Sequence, residues 1–226
     1  MIRGHGVCVK HGIDMRVAES LIARVQAQFG CPSGFWGPIV GWIMAARSSN
    51  RRRNAWAVSL LGVQRCDRVL EIGFGPGIAI RGMSRVAVDG HVWGLDRSAR
   101  MLHQASRRNA AAIRAGRVSL ILGSVERLPA FDAPFDKILA VNTMMFWDDP
   151  IRRLEELRHL LRAGGRIAIA HQPRGPGATD ATAAARGEEF TGMFARAGFA
   201  DVRTELLALR PAAVCALGVN PPEVQQ

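Results

Sequence analysis

Three glycines that follow a short apolar segment constrain this chain more than any other feature of its sequence. The stretch reads VLEIGFGPGIAI from Val69 to Ile80, and Glu71 is its only charged residue. Its first four residues are suited to a strand, and the residues from Ile78 onward can begin a helix once the glycines have turned the chain. The loop therefore lies at the carboxyl end of a predicted strand. In open α/β sheets ligands bind at that edge, and the N–H groups of the next helix favour a polar or anionic ligand.

The spacing of these glycines excludes the dinucleotide-binding fingerprint G-x-G-x-x-G. Counted from Gly73, the third glycine would stand at position 78, and counted from Gly75 it would stand at position 80, but both positions hold isoleucine. The observed spacing is E-x-G-x-G-x-G, formed by Glu71, Gly73, Gly75 and Gly77. This spacing resembles motif I of the class I S-adenosylmethionine (SAM)-dependent methyltransferases.

The composition indicates one globular domain with an appendage. The chain has 226 residues, of which 48% are hydrophobic, and this is enough to bury one core. Its longest apolar stretch, from Phe35 to Ala46, is shorter than the roughly 20 residues that a membrane-spanning helix needs. The amino terminus has neither a continuous apolar segment nor a small-residue cleavage site. We therefore expect a cytoplasmic protein without a membrane span or a secretory signal.

The net charge of +11 suggests nucleic-acid binding, but the makeup of that charge argues against it. Arginine accounts for 28 of the 30 basic residues, because lysine occurs only at Lys10 and Lys137. With abundant alanine and glycine, this is typical of a GC-rich genome. The one basic cluster, Arg51–Arg53, has no interleaved aromatic residues on which bases would stack, so we interpret it as solvated surface. Nucleic acid is disfavoured as a partner.

The cysteines do not indicate a metal site. Cys8, Cys31, Cys66 and Cys215 are far apart and include no C-x-x-C pair. We interpret them as unpaired thiols and expect no bound metal.

Strand-like and helix-like segments alternate after the glycine loop, which predicts a parallel sheet with helices on both faces. The predicted strands are Arg68–Gly73, His91–Asp96, Val118–Gly123, Lys137–Asn142 and Arg166–His171. The predicted helices are Gly77–Val88, Ser98–Arg114, Pro150–Arg162 and Ala181–Ala197. Ser98 is a predicted N-cap, and the pair Gly164-Gly165 is a predicted C-terminal stop.

Two further strand-like runs near the C-terminus, DVRTELLAL and AAVCALGV, are separated only by Arg-Pro. Because this connection is too short for a crossover helix, it predicts an antiparallel hairpin at the sheet edge. Five parallel strands followed by such a hairpin resemble the class I methyltransferase plan. The resemblance implies an α/β, three-layer, Rossmann-like fold with a seven-stranded sheet in the order 3-2-1-4-5-7-6 and an antiparallel last strand.

The chain upstream of the sheet predicts an N-terminal helical appendage. We expect residues 1–14 to be a poorly ordered extension, residues 15–54 a helical cover and residues 55–226 the methyltransferase domain. Glycines and a proline interrupt the Trp-rich part of the cover, which favours a lid that places Trp36 and Trp42 in the substrate pocket. The alternative is a helix that merely covers one face of the sheet.

Further segments resemble the methyltransferases of ubiquinone and menaquinone biosynthesis, the methyltransferase type 11 group. Asp96 ends the second predicted strand, where a carboxylate can accept both hydroxyls of a ribose. The following DRSARMLHQA resembles D-x-S-x-x-M-L-x-x-A, GSVERLPAF resembles G-D-A-x-x-L-P-F, and LRHLLRAGG resembles L-R-V-L-K-P-G-G. The resemblance extends from about Asn50 to the C-terminus.

This resemblance implies that SAM is the methyl donor and leaves as S-adenosylhomocysteine (SAH). It implies that the glycines admit the methionine and ribose of SAM, that Glu71 orients the loop or binds the amino group, and that Asp96 accepts the ribose hydroxyls. One position departs from the group: Ser124 replaces the usual Asp and can bind the adenine amino group only as a neutral partner. The candidate SAM-binding residues are Glu71, Gly73, Gly75, Gly77, Asp96, Arg97, Met101, Ser124, Val125 and Asn142.

Methyl transfer from a sulfonium is an in-line displacement that requires alignment and exclusion of water, so no single catalytic residue is obligatory. We expect the acceptor above the ends of the fourth and fifth strands, where mostly apolar residues favour a small, lipophilic molecule. His171 is the candidate catalytic residue, as a general base, and a histidine with a purely structural role is the alternative. The substrate-pocket candidates are Trp36, Trp42, Met144, Met145, Trp147 and Gln172.

Two rival functions remain open from the sequence. An RNA methyltransferase would have a continuous basic track around the cleft. A SAM-binding protein without activity would act through partners. The segment NTMM stands where DNA and protein amide N-methyltransferases usually have D/N-P-P-Y/F, which disfavours that chemistry. The acceptor atom is not determined, and a homodimer is left open.

Overall fold

The computed structural model describes residues 48–175 and 177–222. The strands are β1 Arg68–Ile72, β2 His91–Asp96, β3 Val118–Leu122, β4 Phe135–Val141, β5 Leu161–His171, β6 Ala200–Leu207 and β7 Ala213–Val219. The helices are α1 Ser48–Leu61, α2 Ile78–Val86, α3 Ala99–Arg108, α4 Ala110–Arg114, α5 Pro150–His159 and α6 Asp180–Arg196, with a 3₁₀ turn at Met144–Phe146.

The seven strands form one sheet in the order β3-β2-β1-β4-β5-β7-β6. β1 to β5 run parallel to one another, and β7 is antiparallel to both β5 and β6. The predicted Rossmann-like fold, strand order and terminal hairpin are therefore confirmed. The order places the carboxyl ends of β1, β2, β4 and β5 at one edge of the sheet, with β1 and β4 adjacent at its centre.

Helices cover both faces of the sheet because alternate strand residues face opposite sides. In β1, Val69 packs with α1 and α2, whereas Leu70 packs with α5 and α6. The first layer is anchored by Ala57, Leu61, Ile80 and Met83. The second layer is anchored by Leu154, Leu157, Phe190 and Phe194. Every residue in these two lists is at most 3% exposed, so both layers contribute a close-packed core.

The boundaries of several elements differ from those predicted. The predicted helix Ser98–Arg114 is two helices, α3 and α4, which meet at Asn109. The Asn109 side-chain amide donates to the backbone oxygens of Gly77 at 3.1 Å and Ala105 at 2.9 Å, and so joins this break to the glycine loop. Ser98 is confirmed as the N-cap of α3, since its Oγ accepts from the Met101 N–H at 3.3 Å.

The predicted helix stop at Gly164-Gly165 is wrong. α5 already ends at His159, and both glycines lie within β5, which begins five residues earlier than predicted. Gly164 has a φ of +73°, and its N–H donates to the Asn220 oxygen at 2.9 Å. This glycine pair therefore serves the irregular start of β5, where the chain must bend to reach the segment after β7.

α1 runs across the predicted boundary between residues 54 and 55, and it packs against α2, β4 and β5. The other calls on the appendage concern residues 1–47, which lie outside the described residues. They include the extension, the lid and the placement of Trp36 and Trp42, and they stay predictions. Within residues 48–175 and 177–222, every helix is too short or too polar to traverse a bilayer.

Replacing a core leucine tests the second layer of the sheet. Leu154 of α5 has no exposed surface, so Leu154→Ala is expected to lower the free energy of unfolding by about 2–5 kcal/mol. Leu206 of the edge strand β6 is 60% exposed, and Leu206→Ala is the matched control with an expected change within about 0.5 kcal/mol. Equilibrium urea denaturation followed by circular dichroism measures both. Equal losses in the two variants would contradict the assignment of this layer to the core.

Candidate functional site

The glycine loop after β1 is held by backbone hydrogen bonds and by close packing. The Gly73 N–H donates to the Leu95 oxygen at 2.7 Å, which joins the loop to β2. A Cβ at Gly73 would lie 2.1 Å from the Cγ2 of Thr143, so a side chain is excluded there. Gly75 differs, because its φ is +49° and a Cβ would meet no atom within 4 Å. The loop thus presents bare backbone to open space at Gly75.

Asp96, at the tip of β2, fixes this loop from the other side. Its Oδ2 accepts from the Gly75 N–H at 2.8 Å, and its Oδ1 accepts from the Ser98 N–H at 2.9 Å. The side chain is 9% exposed, and this burial raises the pKa of the carboxyl, while the two backbone N–H groups act in the opposite direction. Asp96 is therefore a preoriented hydrogen-bond acceptor beside the loop.

Glu71, within β1, is more deeply buried. It is 1% exposed, and its Oε2 has no hydrogen-bond partner among the described residues. Burial raises the pKa of this carboxyl well above its usual range, the nearby Asp96 adds to the effect, and a hydrogen bond from the Ile80 backbone opposes it. A buried polar atom without a partner is costly, so Glu71 is suited to accept from a donor group that enters from the cleft.

These residues line a cleft at the carboxyl ends of β1, β2 and β4. The cleft is open to solvent at its mouth, and the space within it that the centre of a water-sized molecule can reach is about 140 Å³. The described lining residues are Asn50, Arg53, Asn54, Glu71, Ile72, Gly73, Phe74, Gly75, Pro76, Ile78, Leu95, Asp96, Arg97, Met101, Gly123, Ser124, Val125, Glu126, Val141, Asn142, Thr143, Phe146 and Trp147.

The structure brings together all the candidate SAM-binding residues except Gly77. Gly77 precedes α2 with a φ of +74°, and a Cβ there would lie 2.8 Å from the Cβ of Ala105 and 2.6 Å from the Nδ2 of Asn109. Its glycine is therefore required by the approach of the loop to α3. The other nine candidates line the cleft, and their binding of SAM stays a prediction.

The end of the cleft near β3 combines an apolar surface with two polar side chains. Met101 and Val125 are at most 4% exposed. The Ser124 hydroxyl donates to the Glu126 carboxylate, so a negative charge lies next to the position at which the sequence provides only a neutral group. The Arg97 guanidinium lies 5.7 Å from the centre of the Phe146 ring, across the mouth of the cleft.

The predicted substrate-pocket residues that the structure describes separate into two groups. Trp147 lines the cleft, next to Phe146. Met144 is buried in the second core layer and Met145 is 47% exposed, and neither is among the lining residues. Gln172 is also outside the lining, but its backbone N–H donates to the Oδ1 of Asn142 at 2.8 Å. Gln172 is thus linked to the cleft through a residue that does line it.

His171 does not line the cleft, so its predicted role as general base has no support from its position. In β5, Ile167 and Ile169 face the second layer, and His171 follows the same alternation, with its ring centre 6.2 Å from that of Phe190 in α6. Burial lowers the pKa of His171 to about 4, and three neighbouring arginines add to the effect. The imidazole is therefore neutral and weakly basic near pH 7.

The contribution of α1 to the cleft was not predicted from the sequence. Asn50, Arg53 and Asn54 line the cleft and are each at most 7% exposed. Arg51 and Arg52 are exposed, so the interpretation of Arg51–Arg53 as solvated surface is wrong for Arg53 alone. Residues 50, 53, 54 and 57 have the spacing of one helix face, which could have predicted a buried face. The three consecutive arginines led instead to the interpretation as solvated surface.

Comparisons with known proteins identify the chain as a methyltransferase. Residues 69–165 match a family model described as a methyltransferase domain. The chain is similar to an uncharacterized methyltransferase of Bacillus subtilis, YdaC, with 35% identity over 184 residues that cover 81% of this chain and 98% of that protein. It is also similar to the chloroplastic 2-methyl-6-phytyl-1,4-hydroquinone methyltransferase 2 of Oryza sativa, with 29% identity over 143 residues that cover 60% of this chain and 40% of that protein.

A solved structure shows the same fold. The crystal structure of a SAM-dependent methyltransferase from Aquifex aeolicus superimposes with a TM-score of 0.64 at 17% identity. The match covers 80% of this chain and 97% of that chain.

A side chain at position 75 tests whether the glycine loop binds the cofactor. Gly75→Val is expected to abolish SAH binding, because the side chain projects from a backbone segment that a ligand must approach. Gly116→Val is the matched control, since Gly116 also has a positive φ, of +68°, and an open Cβ position, but does not line the cleft. Isothermal titration calorimetry measures binding, and circular dichroism verifies the fold. Loss of SAH binding in both variants would show that backbone strain, and not the position of Gly75, is responsible.

The lowered pKa of His171 predicts a pH dependence of stability. The unfolded histidine takes up a proton below about pH 6.5, whereas the folded one resists protonation until about pH 4. Its contribution to stability is therefore complete above pH 6.5 and is lost as the pH falls towards 4. From pH 7.5 to pH 5, the free energy of unfolding should fall by about 1–2 kcal/mol more in the natural protein than in His171→Gln. Urea denaturation at both pH values measures this difference, and equal falls would contradict the prediction.

Proposed function

The chain belongs to the class I SAM-dependent methyltransferases, and from this premise we propose that it methylates a small acceptor with a largely apolar body. The observation that carries the proposal is the continuity of the cleft. Asp96 and the glycine loop, at the ends of β2 and β1, share one cleft with Phe146 and Trp147, which follow β4. A donor and an acceptor held in these two parts would lie side by side.

The residues at the donor end fit SAM. SAM supplies a methyl group on a positively charged sulfur, which a nucleophile displaces. Asp96, already oriented by two backbone N–H groups, is suited to accept the ribose hydroxyls. The unpartnered Oε2 of Glu71 is suited to accept from an amino group.

The end of the cleft near β3 suits an adenine ring. Met101 and Val125 offer apolar contacts to its faces. Because the hydrogen of the Ser124 hydroxyl is directed to Glu126, the Ser124 oxygen keeps lone pairs that can accept from an exocyclic amino group. The neighbouring carboxylate strengthens this acceptor, which compensates for the absent Asp at position 124.

The acceptor part supports a small, lipophilic substrate. Its lining after β4 consists of the neutral residues Asn142, Thr143, Phe146 and Trp147. Aromatic walls hold apolar molecules and exclude water, which suits a displacement that depends on alignment more than on proton transfer. The similar Oryza sativa protein is named for 2-methyl-6-phytyl-1,4-hydroquinone, a largely apolar molecule, which supports an apolar acceptor here.

A turnover experiment tests the proposal. The protein is incubated with SAM and a panel of small phenols, quinols and aliphatic alcohols, each with its carboxylate-bearing analogue, and SAH formation is followed by mass spectrometry. SAH formation that depends on a small acceptor is expected. Turnover only with transcribed RNA, and binding that weakens steeply with salt, would support an RNA methyltransferase instead. Tight SAM binding without turnover on any acceptor would support a binding protein without activity.

A variant of Asp96 tests whether turnover uses this cleft. Asp96→Ala is expected to weaken SAM binding by about 1–3 kcal/mol, because the ribose hydroxyls lose a charged acceptor. Asp89→Ala is the matched control, since this half-exposed carboxylate pairs with Arg65 outside the cleft. Calorimetry with SAM and with NAD completes the test. Unchanged SAM affinity in Asp96→Ala, or NAD binding as tight as SAM binding, would contradict the assignment.

A further inference from the structure

We propose that the acceptor carries a carboxylate, which binds between Arg53 of α1 and Arg174, in the segment after β5. This inference rests on the proposed function and narrows the acceptor to a small apolar molecule with one acidic group. The inference rests on two neighbouring guanidinium groups. That of Arg53 is buried on the cleft wall and has only neutral partners among the described residues, and that of Arg174 lies next to it.

Arg53 is buried in an unusual setting for a positive charge. Its side chain is on the cleft wall and the residue is 3% exposed. One Nη donates to the Gln172 Oε1 at 2.6 Å, and the other donates to the Asn50 Oδ1. The Nε has no hydrogen-bond partner within residues 48–175 and 177–222. None of the ion pairs in the described part of the chain includes Arg53. Because a buried charge without a counter-charge is costly, an anion entering the cleft would be stabilised there.

Arg174 adds a second positive charge next to Arg53, although it is not itself among the lining residues of the cleft. One of its Nη atoms donates to the Gln172 Oε1 at 3.2 Å, so both arginines converge on one neutral oxygen. Burial and the repulsion from Arg174 lower the pKa of Arg53 to about 9. Guanidinium groups bind carboxylates with paired, charge-assisted hydrogen bonds, so a ligand carboxylate matches this pair better than an amide oxygen does.

Gln172 holds the two arginines in place. Its Nε2 donates to the Pro211 oxygen at 2.8 Å, which directs its Oε1 to the arginines. Its backbone N–H donates to Asn142, which lines the cleft at the end of β4. The subsite is therefore built by α1, β4, β5 and the segment before β7, and a ligand carboxylate would take the place of the Gln172 Oε1 between the two guanidinium groups.

The position of the subsite points to the acceptor. Gln172 follows β5, which is separated from β1 by β4 and therefore lies about 10 Å from it at the usual strand spacing. Asp96 lies on β2, on the other side of β1. The neutral, aromatic part of the cleft follows β4, between these two regions. An acceptor with its apolar body against Phe146 and Trp147 would place an acidic group towards Arg53.

The experiment compares benzoate with its neutral isostere benzamide on the full-length protein saturated with SAH. NMR titration measures the affinity of each probe. Benzoate is expected to bind at least roughly tenfold more tightly than benzamide, because only the carboxylate gains charge-assisted hydrogen bonds. Equal affinity of the two probes, or no benzoate binding, would overturn the inference.

Three variants locate the site. Arg53→Gln is expected to weaken benzoate binding at least roughly tenfold, and Arg174→Gln to weaken it by about three- to tenfold. Arg52→Gln is the matched control, since it removes the same charge from an exposed position of the same helix, and its benzoate affinity should equal that of the natural protein. If Arg53→Gln does not fold, Arg174→Gln is the deciding variant, because Arg174 is exposed. Unchanged benzoate affinity in Arg174→Gln would overturn the inference.

SAH also carries a carboxylate, which Arg53 could bind in place of an acceptor carboxylate. Measuring SAH binding by the Arg53→Gln variant separates these two possibilities. The affinity of Arg53→Gln for SAH should stay within about threefold of the natural value. A large loss of SAH affinity with unchanged affinity for methylthioadenosine, which lacks the amino-acid group, would assign Arg53 to the donor and overturn the inference. Failure of the benzoate arm with intact SAM-dependent turnover refutes only the subsite. Benzoate selectivity without turnover on any acceptor refutes the proposed function and leaves the carboxylate site in place.

Discussion

The pair of hydrogen bonds that Asp96 accepts from Gly75 and Ser98 is the interaction on which the donor end of the cleft depends. It joins the glycine loop of β1 to the tip of β2 and to the first turn of α3, so three elements share one carboxylate. Because both oxygens are engaged by rigid backbone N–H groups, the carboxylate is oriented before a ligand arrives, and less ordering is needed on binding. The bare backbone of Gly75 and the position of Met101 both follow from this arrangement.

Charge is separated along the cleft. Glu71 and Asp96 place two buried carboxyls at the ends of β1 and β2, burial raises the pKa of both, and Asp96 raises the pKa of Glu71 further. A ligand with positive charge relieves that cost, and SAM carries positive charge on its sulfur and on its amino group. At the β5 end, Arg53 and Arg174 produce the opposite condition. The aromatic part between them has neither charge, which suits a displacement that must exclude water.

Predictions from the sequence were best where the pattern is local. The strand-turn-helix at Val69–Ile80 contains its own hydrophobic run and its own glycines, so the loop and the strands that follow it could be predicted from short stretches. Element ends were less accurate. Asn109 breaks a predicted helix because its side chain bonds to Gly77, a contact across 32 positions of the chain that no local pattern records. β5 begins earlier than predicted because its irregular start bonds to Asn220.

The sequence by itself determined the fold class, because spacing within about 30 residues encodes a βαβ unit. The strand order, the methyl donor and the candidate residues of the donor end came from the resemblance of its motifs to the methyltransferases. Only the tertiary structure decided the rest of the cleft. His171 follows the alternation of β5 towards Phe190 and is not among the lining residues of the cleft, whereas Arg53 lines the cleft because α1 packs across β4 and β5. The hydrogen bond between Arg53 and Gln172 joins residues 119 positions apart, and such a contact exists only once the sheet has formed.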